Sequence, residues 1–213
     1  MILAIETATK ICGVAIVENG KIISEKFVDE KNVHSEKLVS FIDLILNESN
    51  LKLEQIKTIA VSSGPGSFTG LRIGMSIAKG ICYAKNIPII LVPTLDGMAN
   101  EFCRKYNPTE QKKIAVLLNA KKNESYFCFY EIKNGTYSKL TEYDIKERIS
   151  IFREMKENRI TILVSDEINE NAKNEFECMQ VNCSAESIGL IAEKNYKHSD
   201  LFSAEPIYVR AFK

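Results

Sequence analysis

With 213 residues and 45% apolar side chains, the chain can bury one large core or two small ones. Lys plus Arg and Asp plus Glu balance at 28 each, so no net field draws it to a polyanion. No apolar run approaches the roughly 18 residues of a membrane span, which sets aside an integral membrane protein.

Met1–Glu6 has no basic flank and turns polar too soon for a signal peptide, so a cytoplasmic location is expected. Six cysteines (Cys12, Cys82, Cys103, Cys128, Cys178, Cys183) lack CxxC spacing and read as buried, reduced thiols. Only Cys178 and Cys183 are close enough to raise a metal or disulfide question, and no histidine nearby completes a zinc set. Arg104, Lys105, Lys112, Lys113, Lys121 and Lys122 read as solvated loop charge.

Along the chain, Ile2–Ile5, Gly13–Glu18 and Ile22–Phe27 read as strands, the last two joined by Asn19-Gly20, a strong two-residue hairpin signal. A helix follows over Ser35–Glu48, then a strand at Thr58–Val61. A Gly/Pro/Ser loop, Ser62 to Ser67, opens a helix over Leu71–Lys85; a strand at Ile89–Val92 and a helix at Thr94–Tyr106 come next. Strands near Ile114–Leu118, Ser125–Ile132 and Thr136–Leu140 repeat the opening pattern, with Asn134-Gly135 in the hairpin. A helix near Ile145–Glu157 and a strand near Ile160–Val164 complete the second round, and a last helix, Ala185–Tyr196, is capped by Ser184.

Three strands, a helix and a strand, twice over, resemble the duplicated α/β core of the actin-like ATPase, sugar kinase and Hsp70 superfamily. The expected fold is therefore α/β in two lobes, residues 1–103 and a reduced C-terminal lobe at 104–213, the last helix and tail packing back near the hinge.

The loop-to-helix junction has two possible uses. Its free N–H groups at the positive end of a helix suit an anion, with Thr7, Thr9, Gly64, Gly66, Ser67 and Gly70 as candidates. Alternatively, Gly70, Gly74 and Ala78 recur every four residues and line a face that another helix can approach closely. Glu6-Thr7-Ala8-Thr9 stands where the actin-like fold carries an acidic, Gly-Thr-rich phosphate loop, but Ala8 replaces the glycine that lets backbone approach phosphate.

His34 and His198 are the two histidines. A metal pair on a helix needs ligands at i and i+4, and the position after His34 in that spacing is Leu38, so no metal site is expected. No Gly-x-Ser-x-Gly elbow is present, which argues against a serine triad. Leu38, Phe41, Ile42, Ile45 and Leu46 form an apolar stripe that Val39 and Leu44 widen, so both first helices read as buried on two sides. Gly74 and Gly80 cost helix stability and call for a close contact in return. The expected partner interface is His34, Leu38, Phe41, Ile42, Ile45, Gly70, Leu71, Gly74, Met75 and Ala78.

Ile2-Leu-Ala-Ile-Glu6-Thr7-Ala-Thr9, His34-Ser35-Glu36-Lys37-Leu38 and above all Gly64-Pro-Gly-Ser-Phe-Thr-Gly-Leu-Arg-Ile-Gly74 resemble the TsaB (YeaZ) family. Pro206-Ile207-Tyr208-Val209-Arg210 resembles its usual ending. The likeness is specific over residues 1–100 and looser from 101 to 200. It departs at Asn119-Ala120-Lys121 and at Glu124-Ser125-Tyr126, where the family has Asp-Ala-Arg and Glu-Val-Tyr.

The resemblance implies a non-catalytic scaffold for threonylcarbamoyl transfer to the adenosine beside the anticodon of ANN-decoding tRNAs. It implies pairing with the metal-bearing paralogue TsaD, a small ATPase (TsaE) joining the assembly, a homodimer when alone, and tRNA met only through the complex. No tightly bound cofactor is implied, though ATP or ADP fits the junction of the complex. The rivals are a small ATP-dependent phosphotransferase of the same fold, for which no catalytic Asp is evident, and a metallopeptidase, for which the metal ligands are missing.

Overall fold

The computed structural model describes residues 1–30, 33–194 and 198–209. Contacts divide it into two units, one made of Met1–Gly97 with Cys183–Ile207, the other built from Met98–Asn182. The division falls at Gly97–Met98, inside a helix, rather than after residue 103.

The first unit has a five-stranded sheet of β1 (Ile2–Glu6), β2 (Ile11–Glu18), β3 (Lys21–Asp29), β4 (Thr58–Ser62) and β5 (Ile89–Val92), in the order β3-β2-β1-β4-β5. β1 runs antiparallel to β2 and parallel to β4. The β2–β3 hairpin turns at Asn19 and Gly20, both with φ near +60° (52° and 72°), the left-handed pair that a type I′ turn requires.

Pleating sorts the sheet's side chains by size. Leu3, Ile5, Val14, Ile16, Ile59 and Val61 share a core with α1 (His34–Glu48) and α2 (Phe68–Lys85). Ala4, opposite Ala15 and Ala60, points to the other face. These small residues admit α6 (Ala185–Lys194) so closely that a Cβ on Gly189 would stand 2.5 Å from Val17 and 3.1 Å from Ala4. Ser184 caps α6 as expected, its hydroxyl accepting the Ser187 N–H at 3.1 Å. Glu193 accepts the Asn19 and Gly20 N–H groups at 2.7 and 2.5 Å, tying α6 to the first hairpin. Tyr196, the expected end of that helix, lies outside the described residues, as does Arg210 of the tail motif.

From Thr94–Tyr106 (α3) the chain enters the second unit. There β6 (Lys112–Asn119), β7 (Glu124–Lys133), β8 (Thr136–Lys139), β10 (Ile162–Ser165) and β11 (Glu177–Gln180) lie in the order β11-β10-β6-β7-β8, and β9 (Asp144–Glu147) also pairs with β7. Asn134 and Gly135 repeat the left-handed turn of the first hairpin. α4 (Arg148–Glu157) and α5 (Glu170–Glu175) cover a core containing Phe127, Phe129, Ile151, Phe152, Leu163 and Phe176.

Two corrections concern this unit. Asp144–Glu147 is strand, not the first turn of a helix, because pairing with Glu124–Phe127 overrides its local preference. α5 and β11 were not expected, being short segments without a readable period. All six cysteines are free; five are buried and Cys178, on β11, is half-buried. No helix among the described residues is long and apolar enough to cross a membrane.

Candidate functional site

The chain turns from β1 into β2 through Thr7–Lys10, and this turn is where the sequence motifs meet. Gly66, Gly70 and Gly74 all press on it. A Cβ at Gly66 would overlap the Ala8 carbonyl oxygen, one at Gly70 the Thr7 carbonyl oxygen, and one at Gly74 the Thr7 hydroxyl. The four-residue spacing of glycines thus accommodates the chain's own turn.

Several of the loop's hydrogen-bond donors are engaged within the chain. Ser67 N–H donates to Ala8 O at 2.7 Å, Gly70 N–H to Ser67 Oγ at 3.2 Å, and Leu71 N–H to Ser67 O at 2.9 Å. Ser67 is therefore the N-cap of α2. Gly64 lies against the Ile207 backbone, whose N–H donates to Ser63 O at 2.7 Å. The Thr9 hydroxyl accepts the Ile11 N–H at 3.1 Å, closing its own turn, while Thr7 N–H donates to Ser62 Oγ at 3.3 Å. The expected anion loop of Thr7, Thr9, Gly64, Gly66, Ser67 and Gly70 is corrected in part: carbonyls and a hydroxyl of the chain's own turn fill the space at Gly66 and Gly70, and the Thr7, Ser67 and Gly70 N–H groups are bonded within the chain.

His34, at the start of α1, is buried, with Nε2 at 3.1 Å from Thr9 O and 3.2 Å from Ile11 O. Donating from Nε2 to these carbonyls, the ring clasps the turn. Leu38, one turn on, is wholly buried in the core.

The other expected interface residues divide sharply. Leu38, Ile42 and Ile45 of α1, and Gly70, Leu71, Gly74, Met75 and Ala78 of α2, are buried within the first unit; Phe41 is half-buried and packs on the same core. They hold the helices to their own sheet and turn, and apart from Phe41 they offer little surface on this unit.

The outward face of this helix pair carries different residues. Val39 is 59% exposed, Phe68 38% and Tyr83 73%. Ser35, Phe68, Thr69, Arg72, Ile73, Ser76 and Ile77 line an open hollow of about 510 Å³, and the Arg72 guanidinium stacks on the Phe68 ring at 3.8 Å. Gly80 is exposed on α2, and a Cβ there would meet nothing within 4 Å. Sequence reasoning missed this face, although the signal was there: Ile73 and Ile77 stand off the small-residue stripe by about a third of a turn.

Glu6 was also missed as more than a loop residue. It is wholly buried at the end of an apolar strand, and burial pushes its carboxyl up to about 7, against the opposing influence of the nearby Cys183 thiol, the Ala8 N–H, the Ser62 hydroxyl and the Thr9 backbone. In the second unit, Asn119 has a structural use. Its N–H donates to Asp166 Oδ1 at 2.9 Å, its Nδ2 to Glu167 at 2.7 Å, and its Oδ1 accepts from Arg148. Lys121 is exposed.

The family model for TsaD, tRNA N6-adenosine threonylcarbamoyltransferase, matches residues 22–189, well over half of the chain. The tRNA threonylcarbamoyladenosine biosynthesis protein TsaB of Haemophilus influenzae is 32% identical over 128 residues, which cover 59% of this chain and 52% of that protein. The protein of the same description in Escherichia coli is 35% identical over 130 residues, covering 61% and 54%. The chain therefore spans about half the length of the curated relatives it matches. The structure of YeaZ from Pseudomonas aeruginosa superposes with a TM-score of 0.78 at 18% identity, over 97% of this chain and 98% of that one. That likeness bears on fold, and the fold is the two-sheet α/β arrangement expected from the repeated element order.

Proposed function

Because this chain belongs to the family of TsaD, tRNA N6-adenosine threonylcarbamoyltransferase, we propose that it serves in making threonylcarbamoyladenosine in tRNA as a non-catalytic subunit paired with the catalytic TsaD protein. The observation that carries this reading is the His34–Leu38 pair. A helix that holds a metal through His-x-x-x-His needs its second imidazole where Leu38 fills the core, and the His34 Nε2 is turned to two carbonyls of its own chain. The names of the TsaB relatives favour the same pathway.

The partner surface in this reading is the outward side of α1 and α2: Val39, Phe68, Arg72, Ile73, Ile77 and Tyr83, with Ser76 and Gly80 flattening its middle. TsaD, as a relative of the same fold, would present equivalent helices, so two helix pairs can pack as a bundle. An apolar face of this kind also pairs with its own copy when TsaD is absent, giving a two-fold dimer. The TsaE ATPase joins the assembly, and tRNA is met through it. ATP or ADP belongs at the junction of the complex, since the chain's own turn crowds the glycine loop at Gly66 and Gly70.

The test is an omission assay with TsaD, TsaE, the threonylcarbamoyl-adenylate synthetase, ATP, threonine, bicarbonate and unmodified ANN-decoding tRNA, with and without this chain. Modified adenosine is read by mass spectrometry of digested tRNA. Product that needs the chain supports the reading, and equal product without it overturns it.

A further inference from the structure

Glu6 ends β1 opposite Gly13 of β2, and Gly13 faces Ala185 at the start of α6. The carboxyl therefore leaves the sheet on the side that α6 covers. It is 0% exposed. Oε1 accepts the Ala8 N–H at 2.7 Å, and among the described residues Oε2 has no hydrogen-bond partner. A carboxylate left half-satisfied in a dry site is costly, and a neutral carboxylic acid there costs far less.

The residue above it is Cys183, wholly buried just ahead of the α6 cap. A Cβ on Gly97 would stand 2.5 Å from the Cys183 Sγ. The chain leaves the first unit after Gly97 and re-enters it at Cys183, so the carboxyl lies beneath the place where α6 is threaded back onto its sheet. Gly189 and Gly13 make that seat tight, with no slack for a solvated charge.

We propose that Glu6 is a proton-operated latch for α6: with its carboxyl neutral the Cys183–Lys194 segment seats on the sheet, and with its carboxyl charged that seat loosens.

Burial holds the carboxyl proton up to about 7 in the folded chain. The groups that face it are the Ser62 hydroxyl of β4, the Cys183 thiol, and the Ala8 and Thr9 backbone of the turn; Cys12, on the α1 and α2 side of β2, is pushed up to about 11 by burial first and by the Glu6 charge. Asp96 and Glu186, in the first turns of α3 and α6, are half-buried and are not among the leading influences on it. When α6 lifts, the carboxyl meets water and its proton affinity drops to the ordinary value near 4.5. Opening is then favoured by about tenfold for each pH unit between about 5 and 7, and levels off above that.

The full chain labelled with 13C-glutamate gives the Glu6 carboxyl titration directly by NMR. Hydrogen exchange of α6, measured from pH 5 to 8 in wild type and in Glu6→Gln at each pH, gives the opening. A Glu6 midpoint near 7, with wild-type protection falling about tenfold per unit relative to the variant before levelling, supports the latch. A midpoint in the ordinary carboxylate range, or a wild-type to variant ratio flat with pH, overturns it. If Glu6→Gln does not fold, alkylation of the wild type reads the same opening: the ratio of Cys183 to Cys82 labelling must rise from pH 5 to 7, and a constant ratio overturns the proposal.

Discussion

Gly74 of α2 backs onto Thr7 of the turn after β1, so closely that a Cβ at position 74 would overlap the Thr7 hydroxyl. The contact that offsets a glycine in mid-helix is therefore internal. Gly74→Ala is expected to lower stability by about 1–3 kcal/mol through overpacking against the turn, despite alanine's better helix propensity. Urea unfolding of the two proteins checks it; unchanged stability would mean that the turn yields.

Gly80 is the opposite case. Its Cβ position is open, so Gly80→Ala should gain about 0.5–1 kcal/mol from helix propensity alone. Gly80→Leu should leave the isolated chain folded while weakening association with TsaD, because it raises a bump on the proposed contact face. Urea unfolding and a pull-down with purified TsaD separate the two effects, and TsaD binding that survives Gly80→Leu intact counts against this face.

The repeat of strands and hairpins was legible because Asn-Gly turns and apolar runs are local signals, and Asn19–Gly20 and Asn134–Gly135 both adopt the turn those signals demand. What a glycine stripe packs against is not local. Gly70 and Gly74 look alike whether they meet Thr7 or a partner helix, and only the tertiary placement of the turn decides. Glu6 was opaque for the same reason, since a carboxylate after four apolar residues reads equally well as the mouth of a site or as a buried acid. Asp144–Glu147 became strand through pairing with residues about 20 positions earlier, which no window of the sequence contains.

The Glu6 carboxyl also sets a pH dependence for the whole fold. Its proton is held up to about 7 in the folded chain, against 4.5 as the ordinary value. Below about pH 4.5 both states carry the proton and the fold bears no cost. Between about 4.5 and 7 the unfolded chain has released a proton that the folded chain keeps, so this contribution to stability falls as pH rises. Above 7 the full cost, about 3 kcal/mol, is constant. Glu6→Gln should therefore match wild type near pH 4 and exceed it by roughly that amount at pH 8, as read by urea unfolding at the two pH values.

His34→Ala removes the imidazole that meets Thr9 O and Ile11 O, leaving both carbonyls short of a donor in a partly buried turn. The expected loss is about 1–3 kcal/mol, with faster hydrogen exchange at residues 9–11 than in β4. A variant as stable as wild type, with the turn equally protected, would show that the histidine does not hold it.

Asn119 stands where the family resemblance leads one to expect an aspartate, and its surroundings give the amide a use. The side-chain amide donates to Glu167 while its oxygen takes the Arg148 guanidinium, and Asp166, itself pushed upward mainly by burial, accepts the Asn119 N–H. Asn119→Asp deletes the donor to Glu167 and brings a third carboxylate to the pair, with Arg148 alone to balance them. It is expected to cost about 1–2 kcal/mol at neutral pH and less as the carboxylates are protonated toward pH 4. Adding Glu167→Gln restores a donor and removes one charge, so the double variant should recover most of the loss. Thermal unfolding of the single and double variants reads the coupling; strict additivity of the two substitutions would remove the electrostatic account of this asparagine.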